Sequence, residues 1–240
     1  MKQTTLKRPH VICHMCMTID GKILANRWPK LDGPKSSIEL YETTAASFGV
    51  PAWIVGTTTM REFSGRPTNL KRAKLPIPPG DHVADSQAQS FAIGIDEKAA
   101  LRFRKSNVDG DHTIVCITSQ ASDDYRAHLQ AAGVSYLVCG SAKVDLRIAL
   151  DKLYRVFGLR KLMLEGGGKF NGSMLHLGLI EEISQIVVPI VDGGIGVSSF
   201  FDIPGRTPAK AAATLRFKSH KQLPGGIHWL RYRVINGKRF

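Results

Sequence analysis

The 240-residue chain carries 33 lysines and arginines against 20 acids, a formal charge of +13, with 43% apolar and 8% aromatic residues. That is the balance of a globular protein, and no apolar run approaches the roughly 20 residues that cross a bilayer, so a membrane-spanning helix is excluded. The polar, basic segment Met1–Arg8 lacks the apolar stretch of a secretory signal, and the expectation is one domain over residues 1–240, in the cytoplasm.

In chain order, Pro9 to Met17 reads as a strand that ends in the tight Asp20-Gly21 turn. Ser36-Ser37-Ile38-Glu39 is a capping box opening a helix through Phe48, closed by Gly49 and Pro51. Ala52–Val55 is a buried strand stopping at Gly56 and three threonines. A loop rich in breakers follows from Ser64 to about Ser90, with Pro67, Pro76, Pro78, Pro79 and Gly80, long enough to be functional or mobile. Phe91 to Ile95 and His112 to Thr118 are strands, Ser122 to Ala132 a helix, Tyr136 to Cys139 a strand and Asp145 to Phe157 a helix. Lys161 to Glu165 is the next strand, Phe170 to Leu177 a helix, and Ile183 to Val191 a strand. Ala211 to Ser219 and Ile227 to Ile235 form a closing antiparallel pair. The pattern predicts an α/β fold with a mostly parallel central sheet of about eight strands flanked by helices.

Cys13 and Cys16 form a C-x-x-C, but residues three apart in a strand point to opposite faces, so no metal site is expected. The basic residues are spread from Lys2 to Arg239, and the densest group, Lys71-Arg72-Ala73-Lys74, lacks interleaved aromatics. Attraction of anionic small ligands is expected, and nucleic acid is not the expected partner.

The sharpest local signal is Leu162 to Ser173: a buried strand, Glu165, the glycines Gly166, Gly167 and Gly168, then a helix. Glycines let backbone N–H groups approach a pyrophosphate, and a helix N-terminus adds partial positive charge. The competing reading is a strand–helix connection that binds nothing. A P-loop is excluded because Phe170 follows Lys169, and the Rossmann fingerprint because Asn171 stands at its third glycine.

Glu165-Gly166-Gly167-Gly168, then Leu177 to Ile183, then Val188-Pro189-Ile190-Val191-Asp192-Gly193-Gly194 resemble the C-terminal signature of the reductase domain of the riboflavin-biosynthesis deaminase-reductases. Met17-Thr18-Ile19-Asp20-Gly21-Lys22 resembles that family's first strand and turn, Ile54 to Thr59 its second, and Val144 through Gly158 the helix before the signature. The resemblance covers nearly the whole chain. It implies a dihydrofolate-reductase-like fold, usually dimeric, that binds NADPH and reduces the ribose of 5-amino-6-(5-phosphoribosylamino)uracil to the ribityl product.

Carried over by residue, the resemblance implies cofactor contacts at Cys16, Thr59 and the cradle Gly166, Gly167, Gly168, Lys169, Phe170, Asn171, Gly172 and Ser173. Glu165 corresponds to the acid facing the substrate, with Asp20 as a second catalytic candidate and His14 as a substrate contact. The family's basic residue late in the helix before strand two is missing from Thr43 to Phe48, and its acid after the strand-two threonine has only Glu62 as a stand-in. Arg61 and Arg66, with Lys71 and Arg72, are candidates for binding the substrate phosphate instead. Ser119, Lys98 and Arg102 are candidates by position for a 2′-phosphate clamp. Two alternatives stay open: the same fold acting on a pterin, folate or other heterocycle, and a basic nucleic-acid-binding protein whose glycine loop is structural.

Overall fold

The computed structural model describes residues 6–31, 35–66, 68–203 and 212–235, so the expectations at Met1–Thr5, Pro67, Ala211 and Arg239 lie outside the described residues. The elements begin with β1 (His10–Thr18), α1 (Ser37–Ala46), β2 (Ala52–Val55), α2 (Thr57–Phe63), β3 (Phe91–Asp96), β4 (Asn107–Val108) and β5 (Asp111–Ile117). They continue with α3 (Asp123–Ala131), β6 (Ser135–Val138), α4 (Leu146–Val156), β7 (Lys161–Leu164), α5 (Gly168–His176), β8 (Glu182–Val188), β9 (Thr214–Leu223) and β10 (Ile227–Ile235). The chain forms two compact units, Met1–Pro9 with Pro51–Leu162, and His10–Val50 with Met163–Phe240.

In the first unit β2, β3, β5 and β6 pair in parallel, and β4 folds back antiparallel on the start of β5. Their inward side chains, Val55, Ala92, Val115 and Ile117, pack with Met60, Tyr125 and Leu129 from the helices. The outer edge of β6 is covered by the breaker-rich loop: His82 and Tyr136 exchange backbone hydrogen bonds of 2.9 and 2.8 Å, and Ala84 N–H donates to Ser135 Oγ at 2.9 Å. Part of that long loop therefore blunts a sheet edge that would otherwise present unpaired backbone groups.

In the second unit β1 runs parallel to β8, β10 runs antiparallel to β8, and β9 runs antiparallel to β10. Helix α1 opens as the sequence predicts: Ser36 Oγ accepts from Glu39 N–H at 3.2 Å and the Glu39 carboxylate accepts from Ser36 N–H at 2.7 Å. Leu40 of this helix enters a core with Ile186, Val188, Ile190, Leu223 and Ile227, against which Trp28, Tyr41 and Trp229 are packed.

The structure departs from the sequence reading at specific points. Among the described residues there are ten strands where about eight were expected, and the clear addition is two-residue β4. The threonines after β2 do not end in a loop but start α2, although three β-branched residues in a row disfavour helix. Packing overrides that preference: Thr57 Oγ1 donates to Ile95 O at 2.6 Å, and Met60 is fully buried where Gly94 makes room for it. Helix α5 begins at Gly168 rather than Phe170, and β8 ends at Val188, just before Pro189, rather than at Val191. The last strand pair is present, with β9 running on to Leu223.

Candidate functional site

β7 hands the chain to the glycine run, with Glu165 half-buried at its end. Gly166 has φ +100°, a conformation that only glycine adopts readily, and the Gly166–Gly167 peptide bond is cis. Gly167 is the N-cap of α5, and no side chain caps that helix end. Its first-turn N–H groups, with the exposed Lys169 beside them, are therefore suited to hold an anion such as a pyrophosphate. The remaining residues of the expected cradle are committed to packing. A Cβ on Gly168 would fall on the Ser199 carbonyl oxygen, and one on Gly172 on the Asp202 carbonyl. Asn171 is buried and donates to Phe200 O at 3.0 Å, while Ser173 Oγ returns to Lys169 O at 2.9 Å. Phe170 is half-buried. The segment Ser199–Asp202, which the sequence reading did not single out, is what these small residues accommodate.

Asp20 lies where β1 turns, and its carboxylate is taken up by neighbours. Oδ1 accepts from Thr18 Oγ1 at 2.6 Å and from Asp192 N–H at 3.0 Å, and Oδ2 accepts from Gly193 N–H at 2.8 Å. The Thr18 hydroxyl, followed by those two N–H groups, lowers its pKa to about 2. The arrangement braces the Asp192–Gly193 backbone against the β1 turn. Asp192 itself is held by Arg27 Nε at 2.8 Å. Cys16 is half-buried, and burial pushes its thiol up to about 12, so the sulfur stays protonated.

His14, expected to touch substrate, is fully buried. Its Nδ1 lies 2.9 Å from Ser184 Oγ, its Nε2 lies 3.2 Å from Tyr41 O, and its ring stacks on Tyr41 at 4.5 Å between centroids. Burial lowers its pKa to about 4, which keeps the imidazole neutral. The Tyr41 hydroxyl donates to His14 O at 3.4 Å, and burial, followed by the Glu165 charge, holds the phenol well above its ordinary range. Sequence reasoning missed Tyr41; the available signal was its place on the same helix turn as Leu40 and Thr44, both of which the fold buries.

Thr59, Arg61 and Arg66 belong to the first unit. Thr59 is half-buried on α2, while Arg61 and Arg66 are exposed on and after that helix. Arg102 donates to Thr68 O, Ala99 O and Leu101 O and lies over the Tyr125 ring, whereas Lys98 and Ser119 are not tied down in that way. Among the described residues no three His, Cys, Asp or Glu side chains cluster as a metal site would, and no helix is long and apolar enough to cross a membrane.

Geometry alone defines an α/β chain with a strand–glycine–helix junction fitted to an anion and an acid at the strand end. The chain belongs to the RibD C-terminal domain family, whose model matches residues 9–229. It is 28% identical over 212 residues to a 2,5-diamino-6-ribosylamino-4(3H)-pyrimidinone 5′-phosphate reductase of Methanothermobacter thermautotrophicus, covering 88% of this chain and 92% of that one. It is 26% identical to the reductase of the same name from Aquifex aeolicus, covering 90% and 92%. Among solved structures, a pyrimidine reductase-like protein of Corynebacterium diphtheriae shares the fold, with a TM-score of 0.67 at 18% identity over 95% of this chain and 93% of that one.

Proposed function

We propose that this chain is an NADPH-dependent reductase of riboflavin biosynthesis that converts the ribose of a ribosylaminopyrimidine 5′-phosphate to the ribityl product. The observation that carries the reading is the family match over residues 9–229, with Glu165 and the glycine run at its core. On this reading the backbone of Gly167, Gly168 and Lys169 holds the cofactor pyrophosphate, aided by the Lys169 charge. Cys16 and Thr59 contribute contacts of their own, and residues 1–240 act as one reductase domain. When bound, the nicotinamide supplies the hydride that the sugar C1′ receives, and the ribose ring oxygen takes up one proton as the ring opens.

Glu165 is the group we assign to the sugar, hydrogen-bonding it or delivering that proton. Asp20 serves by bracing the turn that follows β1, and His14 serves from behind rather than by contact. Arg61 and Arg66, with Lys71 and Arg72, are assigned to the substrate phosphate, in place of the cation that α1 lacks. Lys98 and Ser119, rather than the committed Arg102, are assigned to the cofactor 2′-phosphate. The exposed strand β9 supports a homodimer as the working form, since a long open edge invites pairing with a second copy.

Two substrate forms share the reacting carbon: 5-amino-6-(5-phosphoribosylamino)uracil and its 2,5-diamino-4(3H)-pyrimidinone counterpart, which differ in the pyrimidine C2 substituent. The names of the two relatives favour the diamino form. The test is NADPH oxidation followed by absorbance with each compound, and with dihydrofolate and a dihydropterin as controls. Turnover confined to the phosphoribosylamino compounds is the expected result; turnover of the controls alone would move the chain to the heterocycle reductases. Glu165→Gln is expected to lower kcat by about 100-fold while leaving the Kd for NADPH within about twofold. Equal loss of both would make Glu165 an organiser of the glycine loop.

A further inference from the structure

We propose that Arg102 and Asp124 are positioning residues that clamp the two ends of the segment 68–73 and so hold Lys71 and Arg72 in place for the substrate phosphate. The inference rests on the assignment of those two cations to the phosphate and adds the residues that fix them.

Residues 68–73 belong to no helix or strand, so no ladder of backbone hydrogen bonds holds them. Three ties do so instead. At the first end, Arg102 Nε donates to Thr68 O at 3.0 Å. The same guanidinium is fixed to its own loop, because Nη1 donates to Ala99 O at 2.8 Å and to Leu101 O at 2.9 Å. Ala99 has φ +52°, a conformation that a residue with a Cβ rarely adopts, so this turn is held by its surroundings. Leu101 N–H and the Tyr125 hydroxyl both donate to Oδ2 of the buried Asp96, at 2.9 and 2.6 Å, which anchors the loop to the end of β3. Arg102 O accepts in turn from Gly65 N–H at 2.7 Å, an approach so close that a Cβ on Gly65 would lie 2.7 Å from that oxygen. At the other end, Asp124 Oδ1 accepts from Ala73 N–H at 2.7 Å. Between the ends, Leu70 packs against the core that contains Leu101 and Tyr125.

Both ends are thereby referred to the start of α3, where Asp124 and Tyr125 are neighbours. Lys71 and Arg72 are exposed, and among the described residues neither forms an ion pair. Ordering a cation on capture of an anion costs entropy, and a backbone already fixed on both sides lowers that cost. Asp124 is the informative member of the clamp. Its negative charge opposes an anion bound beside Arg72, whereas the N–H it holds favours one by keeping the segment in place. Field and clamp therefore predict opposite signs when the carboxylate is removed.

The test is Asp124→Ala, in which α3 keeps its Ser122 cap. In steady-state kinetics with the ribosylaminopyrimidine phosphate, KM is expected to rise by about fivefold or more with kcat within about twofold of the parent. Gly65→Ala, which disturbs the Arg102 end without changing any charge, is expected to act in the same direction. Trypsin cleavage after Lys71 and Arg72, located by mass spectrometry, is expected to accelerate by about tenfold or more in Asp124→Ala. Ribose 5-phosphate is expected to slow that cleavage in the parent, at a concentration about fivefold lower than in Asp124→Ala. Unaccelerated cleavage overturns the proposal, as does a KM that stays level or falls. Absence of protection by ribose 5-phosphate in the parent overturns the phosphate assignment and the positioning role with it. Protection in a parent protein that does not reduce the substrate would support the clamped phosphate site and remove only the assigned reaction.

Discussion

Tyr41 O can only accept, so the His14 Nε2 that lies 3.2 Å from it carries the hydrogen, and protonation would add a second on Nδ1, 2.9 Å from the Ser184 hydroxyl, on a fully buried ring. Burial accordingly lowers its pKa from the ordinary 6.5 to about 4. Between those values the unfolded chain binds the proton and the folded chain does not. The contribution to stability is therefore fully present above the unfolded pKa and lost as pH falls through the folded one. A shift of this size corresponds to about 3 kcal/mol. His14→Gln is expected to be less stable than the parent at neutral pH but to lose less on acidification, so that the two denaturation midpoints converge between pH 6.5 and 4. Midpoints that fall in parallel would mean that another group titrates. Asp20 illustrates the opposite charge type: its pKa, lowered to about 2, makes its bracing of Asp192 and Gly193 persist through the whole of that range. The sequence marks Asp20-Gly21 as a turn but leaves the carboxylate's partners invisible, since Asp192 and Gly193 lie far along the chain.

At the scale of elements, the junction between β7 and α5 combines two uses of glycine that one substitution each can separate. Gly167 stands at the uncapped N-terminus of α5, and Gly168 admits the Ser199 carbonyl. Gly167→Val is expected to weaken NADPH binding by about tenfold or more while the protein remains folded, because its side chain would occupy the approach to the helix end. Gly168→Ala is expected to lower the melting temperature, because the backbone of Ser199 must move. Titration calorimetry and thermal melts distinguish them, and identical behaviour would mean that both glycines are structural. Most elements were legible because their signals are local: the Ser36 capping box, the apolar stripe Leu146, Leu150 and Leu153 of α4, and the alternation of β10. The start of α2 was not, because Thr57 to Thr59 read as β-formers and only the distant Ile95 carbonyl and the Gly94 gap make them helical. The fate of the Ser64–Ser90 loop was also hidden, since it depends on β6 offering an edge for His82 to pair with. For the site, Glu165 and the glycine run were legible from family motifs, whereas Tyr41 entered only through its packing against His14.

For the molecule as a whole, the charge of +13 is unevenly spent. Residues 61–74 and 102–105 carry eight basic side chains and one acid, Glu62. Among the described residues none of those eight cations forms an ion pair, while Arg27, Lys152, Arg155, Lys218 and Arg231 all do. Unpaired surface cations raise the local concentration of anions and accelerate their capture, at a range of about 10 Å in 0.1 M salt. Both proposed ligands, NADPH and a sugar phosphate, are anionic, so this field should serve association more than chemistry. The Kd for NADPH is therefore expected to rise by about tenfold between 50 and 500 mM KCl, through a slower on-rate, with kcat at saturation unchanged. Replacing Lys74, Arg104 and Lys105 together by alanine, none of which is assigned to a ligand, should flatten that dependence while leaving kcat alone. Stopped-flow binding across the salt series measures both. A slope unaffected by the triple substitution would locate the field elsewhere on the chain. A steeper slope for duplex DNA than for NADPH, at comparable affinity, would instead favour a nucleic acid as the cognate anion, because an extended polyanion releases many counterions where a dinucleotide releases few.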